Sequence, residues 1–386
     1  MKKIVDTWYS DSAIAWLKPA SFLFSCLSNF RRRLYKSGRK KIYRASVPLI
    51  VVGNINVGGT GKTPLIVYLV RQLQRAGYRP GVVSRGYGSR APEYPFHVKA
   101  DSPVQHSGDE ALLIARNTGC PVVIDANRVE AVKSLEQHYD CNVILSDDGM
   151  QHYAMARDIE IAVVDGRRGF GNGQLLPAGP LREKPERLDE VDYIIYNGSS
   201  SLTFQKPSYM MTLKPRHLCH IQSGEMFAIT DIANEMALSR IEKVREGNDH
   251  DDTEQTVPNS SRSLSDTQGQ GLEHPAERTA MIDNNNKNFK VRHKVHAIAG
   301  IGNPERFFSS LCDCGFDIIT HVFADHHVYT LDDISFDDDY EVVMTEKDAV
   351  KCSVFARKID WYLSVDAIIA EAFIGSLLSK LKSFSI

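Results

Sequence analysis

The chain has 386 residues, of which 42% are hydrophobic and 24% charged, as is typical of a globular protein with two ordinary domains or one large α/β domain with extensions. Its seven cysteines are odd in number and form no pair of CxxC units, which argues against a disulfide framework and against a zinc site. The net charge is −2, but residues 12–92 hold fifteen Lys or Arg and no Asp or Glu, a pattern that indicates an anionic partner such as nucleic acid, acidic lipid or a phosphate-bearing substrate.

The N-terminal region is predicted to lie on a membrane surface rather than to cross the bilayer. Lys18 and Pro19 interrupt the apolar run at residues 13–27, so no stretch of eighteen apolar residues exists. The run is rich in aromatic side chains and leads into a polybasic tract at residues 31–44. A helix of this kind can bury its apolar side in the acyl boundary while its cations meet acidic headgroups. The alternative is a helix that packs on the protein's own core.

From residue 47 onward, short apolar runs alternate with helical patterns, which predicts a mostly parallel, doubly wound α/β sheet. The predicted strands are 47–52, 81–84, 122–125, 143–145, 159–164, 193–196, 295–299, 318–323, 342–344 and 361–365. The predicted helices are 64–75, 109–116, 128–138, 304–311 and 367–381.

Composition divides the chain into five predicted parts. Residues 1–45 form the amphipathic, basic segment, and residues 46–214 the larger α/β domain, which contains the motif described next. Residues 215–241 connect it to a smaller α/β lobe at 289–386. Between them, residues 242–288 are polar and acidic with few large apolar groups, so we expect a disordered insertion that cannot bury enough surface to offset its ordering entropy.

The strongest single motif is GNINVGGTGKT, which begins at Gly53 after an apolar strand and precedes a helix. Glycine-rich turns let backbone N–H groups converge on phosphate oxygens, and the following helix adds its positive end. The strict P-loop pattern has glycine where this chain has Asn56, although asparagine tolerates a positive φ better than most residues. The pattern predicts Lys62 at the β- and γ-phosphates of a nucleoside triphosphate and the Thr63 hydroxyl on Mg²⁺. The predicted phosphate cradle is Asn56, Val57, Gly58, Gly59, Thr60, Gly61, Lys62 and Thr63.

Metal-binding carboxylates are predicted at the end of another strand. The apolar run at 143–145 leads into Asp147 and Asp148, and ligand sites of open α/β sheets lie at the carboxyl ends of the strands. We therefore expect one of these aspartates to bind Mg²⁺ directly or through its hydration shell. The alternative is an acidic turn.

Two further motifs bear on the nucleotide. The sequence beginning at Gly300 reads GIGNPE and lacks the third glycine of a dinucleotide fingerprint, so a Rossmann cofactor site is rejected. The sequence TEKD, which begins at Thr345, resembles the guanine-reading motif of GTPases with its lysine one place out of register. This favours ATP over GTP.

Phosphoryl transfer to an alcohol needs a group that receives the hydroxyl proton. The candidates are Asp109, which opens a predicted helix, and the neighbouring pair His326 and His327. A carboxylate that is hydrogen-bonded to an imidazole would make a tuned base, but the spacing in sequence leaves open whether these residues meet.

Eight blocks, in order along the chain, together resemble the tetraacyldisaccharide 4'-kinases, the lipid A 4'-kinases of Gram-negative bacteria. The blocks are GNINVGGTGKTP at 53–64, SRGYG at 84–88, GDEALL at 108–113, DDGMQH at 147–152, LLPAGPLRE at 175–183, GIGNPERFF at 300–308, DHHVYT at 325–330 and TEKDAVK at 345–351. The resemblance runs from the N-terminal helix to about Trp361 and leaves out most of the insertion.

The resemblance implies a kinase that uses ATP and Mg²⁺ to phosphorylate the 4'-hydroxyl of an acylated glucosamine disaccharide 1-phosphate at the cytoplasmic face of the bacterial inner membrane. It implies that Asp109 is the general base and pairs with a histidine of the DHH block, for which we choose His326. Residues matching substrate or phosphate contacts are Arg85, Tyr87, Glu110, Arg128, Gln151, His152 and Arg182. The expected partners are the lipid and the membrane surface, with no nucleic acid and no obligate protein partner.

A second hypothesis is a membrane-associated regulatory ATPase or GTPase, in which hydrolysis switches the binding of a partner. The N-terminal segment and the P-loop fit both hypotheses. The Asp109 and DHH blocks favour the kinase, because a switch needs only to orient water.

Overall fold

The computed structural model describes residues 7–9, 15–229 and 293–384. Its strands are β1 (Leu49–Gly53), β2 (Pro80–Ser84), β3 (Phe96–Val98), β4 (Val122–Ile124), β5 (Val143–Asp147), β6 (Ile159–Asp165), β7 (Tyr193–Asn197), β8 (Ser208–His220), β9 (Met226–Ala228), β10 (Lys294–Ala299), β11 (Asp317–Val322), β12 (Glu341–Thr345) and β13 (Asp360–Ile369). Its α-helices are α1 (Lys18–Lys36), α2 (Lys62–Arg75), α3 (Val104–Ser107), α4 (Asp109–Thr118), α5 (Arg128–His138), α6 (Pro304–Asp313), α7 (Glu346–Cys352) and α8 (Glu371–Lys382). Short 3-10 helices lie at Ala15–Leu17, Pro185–Glu190 and Asp332–Ile334.

All of these strands belong to one sheet in the order β11-β10-β12-β13-β8-β7-β6-β1-β5-β2-β4-β3, with β9 paired to β8. Among these pairs only β3–β4, β8–β9 and β8–β13 are antiparallel. The predicted P-loop NTPase-type, doubly wound and mostly parallel sheet is confirmed, together with its N-terminal helix. The predicted domain boundaries stay predictions, and the insertion at 242–288 lies outside the described residues.

Alternating side chains of the strands build the core on both faces of the sheet. On β1, Ile50 and Val52 pack with α2, α4 and α8, whereas Leu49 and Val51 pack with α5. This period of two explains why β1 is apolar throughout: a strand that is covered on both faces has no solvent side. The smaller lobe has its own apolar cluster around Trp361 and Phe307.

The long strands β8 and β13 join the two parallel portions of the sheet. The first residues of β8 pair with β7, up to Met211 opposite Asn197, and the strand then continues beyond the carboxyl edge of that portion. Its later residues pair with β13, with His220 opposite Trp361. Because β13 and its parallel neighbour β12 run back along this ribbon, the carboxyl ends of the smaller lobe face those of the larger one.

The chain differs from the predicted elements at this ribbon. A helix was predicted over 367–381, but Ala367 and Ile369 are strand residues and α8 begins at Glu371. The strand continues because Ile369 pairs with Met211 of β8, a partner more than 150 positions away that no local pattern reveals. Strand β8 itself was not predicted, since Lys214, Pro215 and Arg216 interrupt its apolar residues.

Helix α1 begins at Lys18, where Lys18 and Pro19 interrupt the apolar run of the sequence. Pro19 lies in the first turn of the helix, where its missing N–H group costs no hydrogen bond. The helix docks through Ser21, whose hydroxyl donates to the carbonyl of Leu175 (2.9 Å) and accepts from the amide of Ala178 (3.0 Å). Across the three described stretches of the chain, none of the helices combines the length and the apolar character needed to cross a bilayer.

The buried Trp361 of β13 allows a test of the smaller lobe's core. Trp361 is 2% exposed and packs against Phe227 with a ring-centroid distance of 5.7 Å. We expect Trp361→Ala to lower the free energy of unfolding by about 3–5 kcal/mol, measured by urea denaturation, because it removes a large buried side chain. Trp16→Ala is the control: Trp16 is 75% exposed, and its loss should cost less than about 0.5 kcal/mol. Equal effects of the two changes would contradict the assigned core.

Candidate active site

A cavity of about 1280 Å³ lies between the facing carboxyl edges, and α1 borders its mouth. Most of the side chains singled out in the sequence line it. They are Val57, Gly58, Gly59, Thr60, Gly61, Lys62, Thr63, Arg85, Tyr87, Glu110, Arg128, Asp147, Asp148, Gln151, His152, Arg182 and His326. Asn56, Asp109 and His327 do not line it.

The P-loop connects β1 to α2 in the conformation that its glycines permit. Gly58 and Gly61 have positive φ angles of 114° and 96°, and Gly61 caps the N-terminus of α2. The loop is held by Asn197, whose side-chain amide donates to the carbonyl of Thr60 (3.0 Å). The backbone of the loop and the positive end of α2 therefore face the cavity, as an anion site requires.

The structure does not place the side chain of Asn56 in this cradle. Asn56 is buried, and its amide donates to the carbonyl of Gly169 at 2.8 Å. The residue forms an isolated backbone bridge with Leu181. Asn56 thus ties the P-loop to the segment at 169–181, whereas the sequence pattern predicted that it contributes to the phosphate cradle.

Asp147 and Asp148 have different surroundings at the end of β5. Asp147 is fully buried, and one of its oxygens accepts from the Ser84 hydroxyl (3.1 Å) while Oδ1 has no hydrogen-bond partner. Burial, followed by the charges of Glu110 and Asp148, raises the pKa of Asp147 well above its usual value. The two carboxylates therefore concentrate negative charge that a bound cation would offset.

The Asp148 carboxylate is paired with cations. Asp148 has a positive φ of 49°, and its carboxylate accepts from Arg182 at 2.9 and 3.1 Å and lies 3.6 Å from Nζ of Lys62. Burial alone would raise its pKa, but Lys62 and Arg182 lower the pKa of Asp148 to about 2. The carboxylate is thus ionised at neutral pH and holds the P-loop lysine beside the cavity.

A positive wall faces these carboxylates. Burial lowers the pKa of the Arg128 guanidinium to about 10, so Arg128 remains charged at neutral pH. Burial, followed by the neighbouring cations Arg128 and Arg31, lowers the pKa of His152 to about 4. A neutral His152 beside Arg128 and Arg85 suits the binding of an anionic group without adding a charge of its own.

Asp109 and His326 meet across the cleft. Oδ2 of Asp109, at the start of α4, lies 3.1 Å from Nδ1 of His326, which follows β11 in the smaller lobe. Burial alone would raise the pKa of Asp109, but the hydrogen bond from His326 and the charge of Lys347 lower it. Burial opposes protonation of His326, yet the bond to Asp109 leaves the pKa of the imidazole raised. Asp109 is only 5% exposed, so His326 is the member of the pair that lines the cavity.

The structure distinguishes the two candidate histidines. His327 points away from Asp109, and its Nε2 lies 3.3 Å from the carboxylate of Asp333. His326 has a positive φ of 61°, and its ring lies against that of Tyr87 with the centroids 4.6 Å apart and the planes tilted by 45°. Adjacent residues of one loop face opposite ways here, which sequence order alone could not show.

The two remaining motifs have structural roles. Gly302 approaches the P-loop so closely that a side chain there would collide with the backbone of Gly59. Asp348, which occupies the base-reading place of the TEKD sequence, is fully buried and accepts from the amide of Gly300 (2.9 Å) and the hydroxyl of Thr345 (2.7 Å). Neither motif is free to bind a nucleotide base through these residues.

Sequence reasoning missed several side chains of the cavity. One wall is apolar and formed by Phe307, Leu363 and Val365, and α1 contributes Phe24 and Leu27. Glu183 lies behind the cavity wall, where it accepts from two residues that line the cavity, Gln151 (2.7 Å) and Tyr153 (2.6 Å). Lys347, in the TEKDAVK block, also lines the cavity. The resemblance of TEKD to a guanine-reading motif indicated nucleotide specificity and no role for this lysine.

The two ends of α2 allow a test of the P-loop geometry. Gly61 and Gly77 both have a positive φ, but only at Gly61 would a Cβ collide, with the amide of Asn197. We expect Gly77→Ala to cost about 1–2 kcal/mol of unfolding free energy from backbone strain alone. Gly61→Ala should cost roughly a further 1–3 kcal/mol, because Asn197 must give up its bond to Thr60. Chemical denaturation of both variants measures the difference, and equal losses would contradict the close approach.

Comparison with known proteins agrees with this geometry. Residues 13–382 match the family model described as Tetraacyldisaccharide-1-P 4'-kinase. A Tetraacyldisaccharide 4'-kinase of Pasteurella multocida is 42% identical over 377 residues, covering 97% of each chain. One from Pseudomonas syringae pv. tomato is 39% identical over 374 residues, covering 97% of this chain and 95% of the relative.

A solved structure shares the fold. The LpxK protein of Aquifex aeolicus, in complex with ATP, matches with a TM-score of 0.68 at 22% identity, covering 95% of this chain and 98% of that one. The resemblance seen in eight sequence blocks is confirmed, as is the prediction of a kinase. The chain therefore belongs to the tetraacyldisaccharide-1-P 4'-kinase family.

Proposed function

We propose that this chain transfers the γ-phosphate of ATP to the 4'-hydroxyl of a tetraacylated glucosamine disaccharide 1-phosphate in lipid A biosynthesis, with the phosphate cradle and the Asp109–His326 pair acting in one cavity. The names of the relatives and the ATP bound to the Aquifex aeolicus protein support the substrates. The observation that supports the assignment of roles is the 3.1 Å contact between Asp109 and His326, because His326 lines the cavity that the P-loop borders and Asp109 lies directly behind it.

The phosphate side of the reaction relies on the P-loop. Its backbone N–H groups and the N-terminus of α2 bind the phosphate oxygens, and Lys62 stabilises the charge of the transferring group. Asp148 holds Lys62 in place at 3.6 Å. Because these donors are fixed before the nucleotide arrives, they need no reorganisation during the transfer.

The residues at the end of β5 suit Mg²⁺. Thr63, Asp147 and Asp148 would hold the ion, and the buried, unpartnered Oδ1 of Asp147 is a carboxylate oxygen without another use in the described structure. Mg²⁺, when bound, neutralises charge on the β- and γ-phosphate oxygens. Two adjacent carboxylates in a wall that also contains Lys62 suit this role.

The sugar hydroxyl gives up its proton to the other part of the site, the Asp109–His326 pair. Asp109 accepts this proton, and His326 orients the carboxylate and keeps it ionised. The acceptor's phosphate and sugar oxygens bind the polar wall of Arg85, Arg128 and Arg182, with Tyr87, Glu110, Gln151 and His152 beside them. An ionised base is needed because a sugar alcohol is a poor nucleophile until its proton has an acceptor.

The test of this function follows the mass of the lipid. The protein is incubated with MgATP and tetraacylated disaccharide 1-phosphate in detergent, and we expect a product heavier by one phosphoryl group. Asp109→Asn should slow this reaction by roughly 10² to 10⁴-fold, the usual contribution of a positioned base. His326→Ala should cost less, and the double variant should be little slower than Asp109→Asn, because residues that act as a unit are not additive.

Three outcomes would contradict the proposal. Hydrolysis of ATP without a change in lipid mass would indicate a regulatory ATPase instead. Losses that multiply in the double variant would show that the two residues do not act as a pair. Loss of MgATP binding in Asp109→Asn would place this carboxylate at the metal.

Helix α1, which borders the cavity, exposes several large apolar side chains. On α1, Phe22, Leu23 and Phe30 are 72%, 59% and 60% exposed, although the helix is anchored through Ser21. Trp16, in the 3-10 helix that precedes α1, is 75% exposed. Exposed cations follow at Arg31, Arg33, Arg39, Lys40 and Lys41. We infer that α1 lies in the cytoplasmic surface of the inner membrane, where the lipid substrate resides, with its apolar side chains at the acyl boundary.

This attachment can be tested with vesicles of phosphatidylethanolamine and phosphatidylglycerol. Changing Phe22, Leu23 and Phe30 together to Ser should weaken co-sedimentation at least about tenfold, since each buried apolar side chain contributes roughly 1.5–3 kcal/mol. Val354→Ser is the matched control, because Val354 is 85% exposed but lies far from α1 in the chain's smaller lobe. Unchanged sedimentation of the triple variant would contradict the assignment.

A further inference from the structure

Lys347, the second residue of α7, contacts the proposed catalytic pair and its neighbours. Nζ of Lys347 lies 3.0 Å from Glu110, 3.3 Å from Asp325 and 3.9 Å from Asp109. It also lies 3.5 Å from Nε2 of His326. Its side chain is 18% exposed, so these contacts are made in the cavity wall with little access for water.

The groups around Lys347 come from both lobes. Asp109 and Glu110 open α4 in the larger lobe, whereas Asp325 and His326 follow β11 in the smaller one. Burial alone would lower the pKa of Lys347, but Glu110, Asp109 and Asp325 raise it, so the ammonium group stays charged. One cation thus bridges carboxylates that the two lobes bring from opposite sides of the cleft.

The backbone around Lys347 is held by contacts that do not involve Asp109 or His326. Thr345 caps α7 and bonds to Asp348, which in turn accepts from the amide of Gly300. Glu346 accepts from the side chain of Asn117 in α4 (2.7 Å), which fastens α7 to the helix that carries Asp109. The lysine is therefore pre-positioned by the fold.

We propose that Lys347 is a positioning residue for the phosphoryl transfer: its ammonium group joins Glu110 to Asp325 across the cleft and donates to Nε2 of His326, so that the imidazole presents its Nδ1–H to Asp109. The proposal rests on the roles proposed above for Asp109 and His326.

The chemistry of the contact sets the tautomer. An ammonium group can only donate, so a neutral His326 accepts from Lys347 at Nε2 and must carry its hydrogen on Nδ1. That hydrogen is then donated to Asp109, which orients the carboxylate. Without Lys347 the ring can place its hydrogen on Nε2, and Asp109 then keeps the amide of Glu110 as a donor but loses the imidazole.

The other groups that face the pair do not replace this contact. Lys351 is 4.0 Å from Asp109 but pairs with Asp348 at 2.8 Å. Tyr87 covers the ring face of His326 and reaches neither of the ring's bonds to Asp109 and Lys347. Removing Lys347 therefore leaves Asp109, Glu110 and Asp325 with less positive charge, and it leaves Nε2 of His326 facing the Asp325 carboxylate at 3.9 Å without the ammonium donor.

The experiment compares Lys347→Met and Lys347→Arg with the unchanged protein, using the lipid assay and MgATP. Lys347→Met should lower kcat roughly 10²-fold, as a misplaced catalytic group does, with the KM for MgATP within about twofold. The loss of a cation beside Asp109 should raise the pKa of this base, so the acid limb of the kcat–pH profile should move to higher pH. Lys347→Arg keeps the charge and should restore the limb and part of kcat.

Asp366→Asn is the control. Asp366 of β13 bonds to Arg71 of α2 at 3.0 Å, another ion pair between the two lobes but outside the cavity. This change should leave both kcat and the pH profile as they were. If Lys347→Met does not fold, as judged by its thermal unfolding, Lys347→Gln takes its place, since it keeps a donor and removes the charge.

The outcomes separate this inference from the proposed function. An unchanged kcat and an unmoved acid limb in the neutral variant, while Asp109→Asn is slow, would overturn the role of Lys347 alone. If Asp109→Asn is itself as fast as the unchanged protein, the proposed base fails and the inference fails with it. A fall in kcat without any shift of the limb and without rescue by arginine would show that Lys347 supports the fold only, which also overturns the proposal.

Discussion

The antiparallel ribbon of β8 and β13 is the constraint on which the site depends. In a parallel α/β sheet the loops that bind ligands lie at the carboxyl ends of the strands. Two such portions placed side by side in parallel would have separate sites at one edge. Here β8 continues past the end of β7, and β13 returns along it, so that the two carboxyl edges face each other. The P-loop and the His326 loop can meet across one cavity only because of this register.

The close contact of the two edges has a sequence requirement at Gly302. Gly59 and Gly302 approach with no room for a side chain at Gly302, and Arg168 donates to the carbonyl of Gly302 at 2.6 Å. Gly302 of the GIGNPE sequence therefore serves packing against the P-loop, whereas Gly300 packs against Tyr329 and Asp348. A glycine-rich motif that resembles a cofactor site can equally mark the place where two pieces of backbone touch.

Charge within the cavity is arranged in two groups with different tasks. Around Asp148, Lys62 and Arg182 keep a carboxylate ionised beside the phosphate cradle. Around Asp109, His326 and Lys347 do the same for the proposed base. Asp147 differs, because its burial and its acidic neighbours raise its pKa and leave a carboxylate oxygen unpaired. Environments that push the pKa values of similar groups apart are how one site can contain both a metal ligand and a base.

Local sequence determined the elements of this protein that form through interactions between residues close together in the chain. The strand–loop–helix context of Gly61, Lys62 and Thr63 predicted the P-loop, and the apolar run before Asp147 placed that residue at a strand end, because hydrophobic periodicity and turn chemistry act over a few residues. Tertiary structure alone decided which of two adjacent histidines meets Asp109, that Asn56 bonds to Gly169 instead of facing the cavity, and that residues 367–369 extend a strand. Each of these outcomes depends on a partner more than 100 positions away, and such a pairing is set by the sheet register and the packing of the two lobes, which leave no local pattern in the chain.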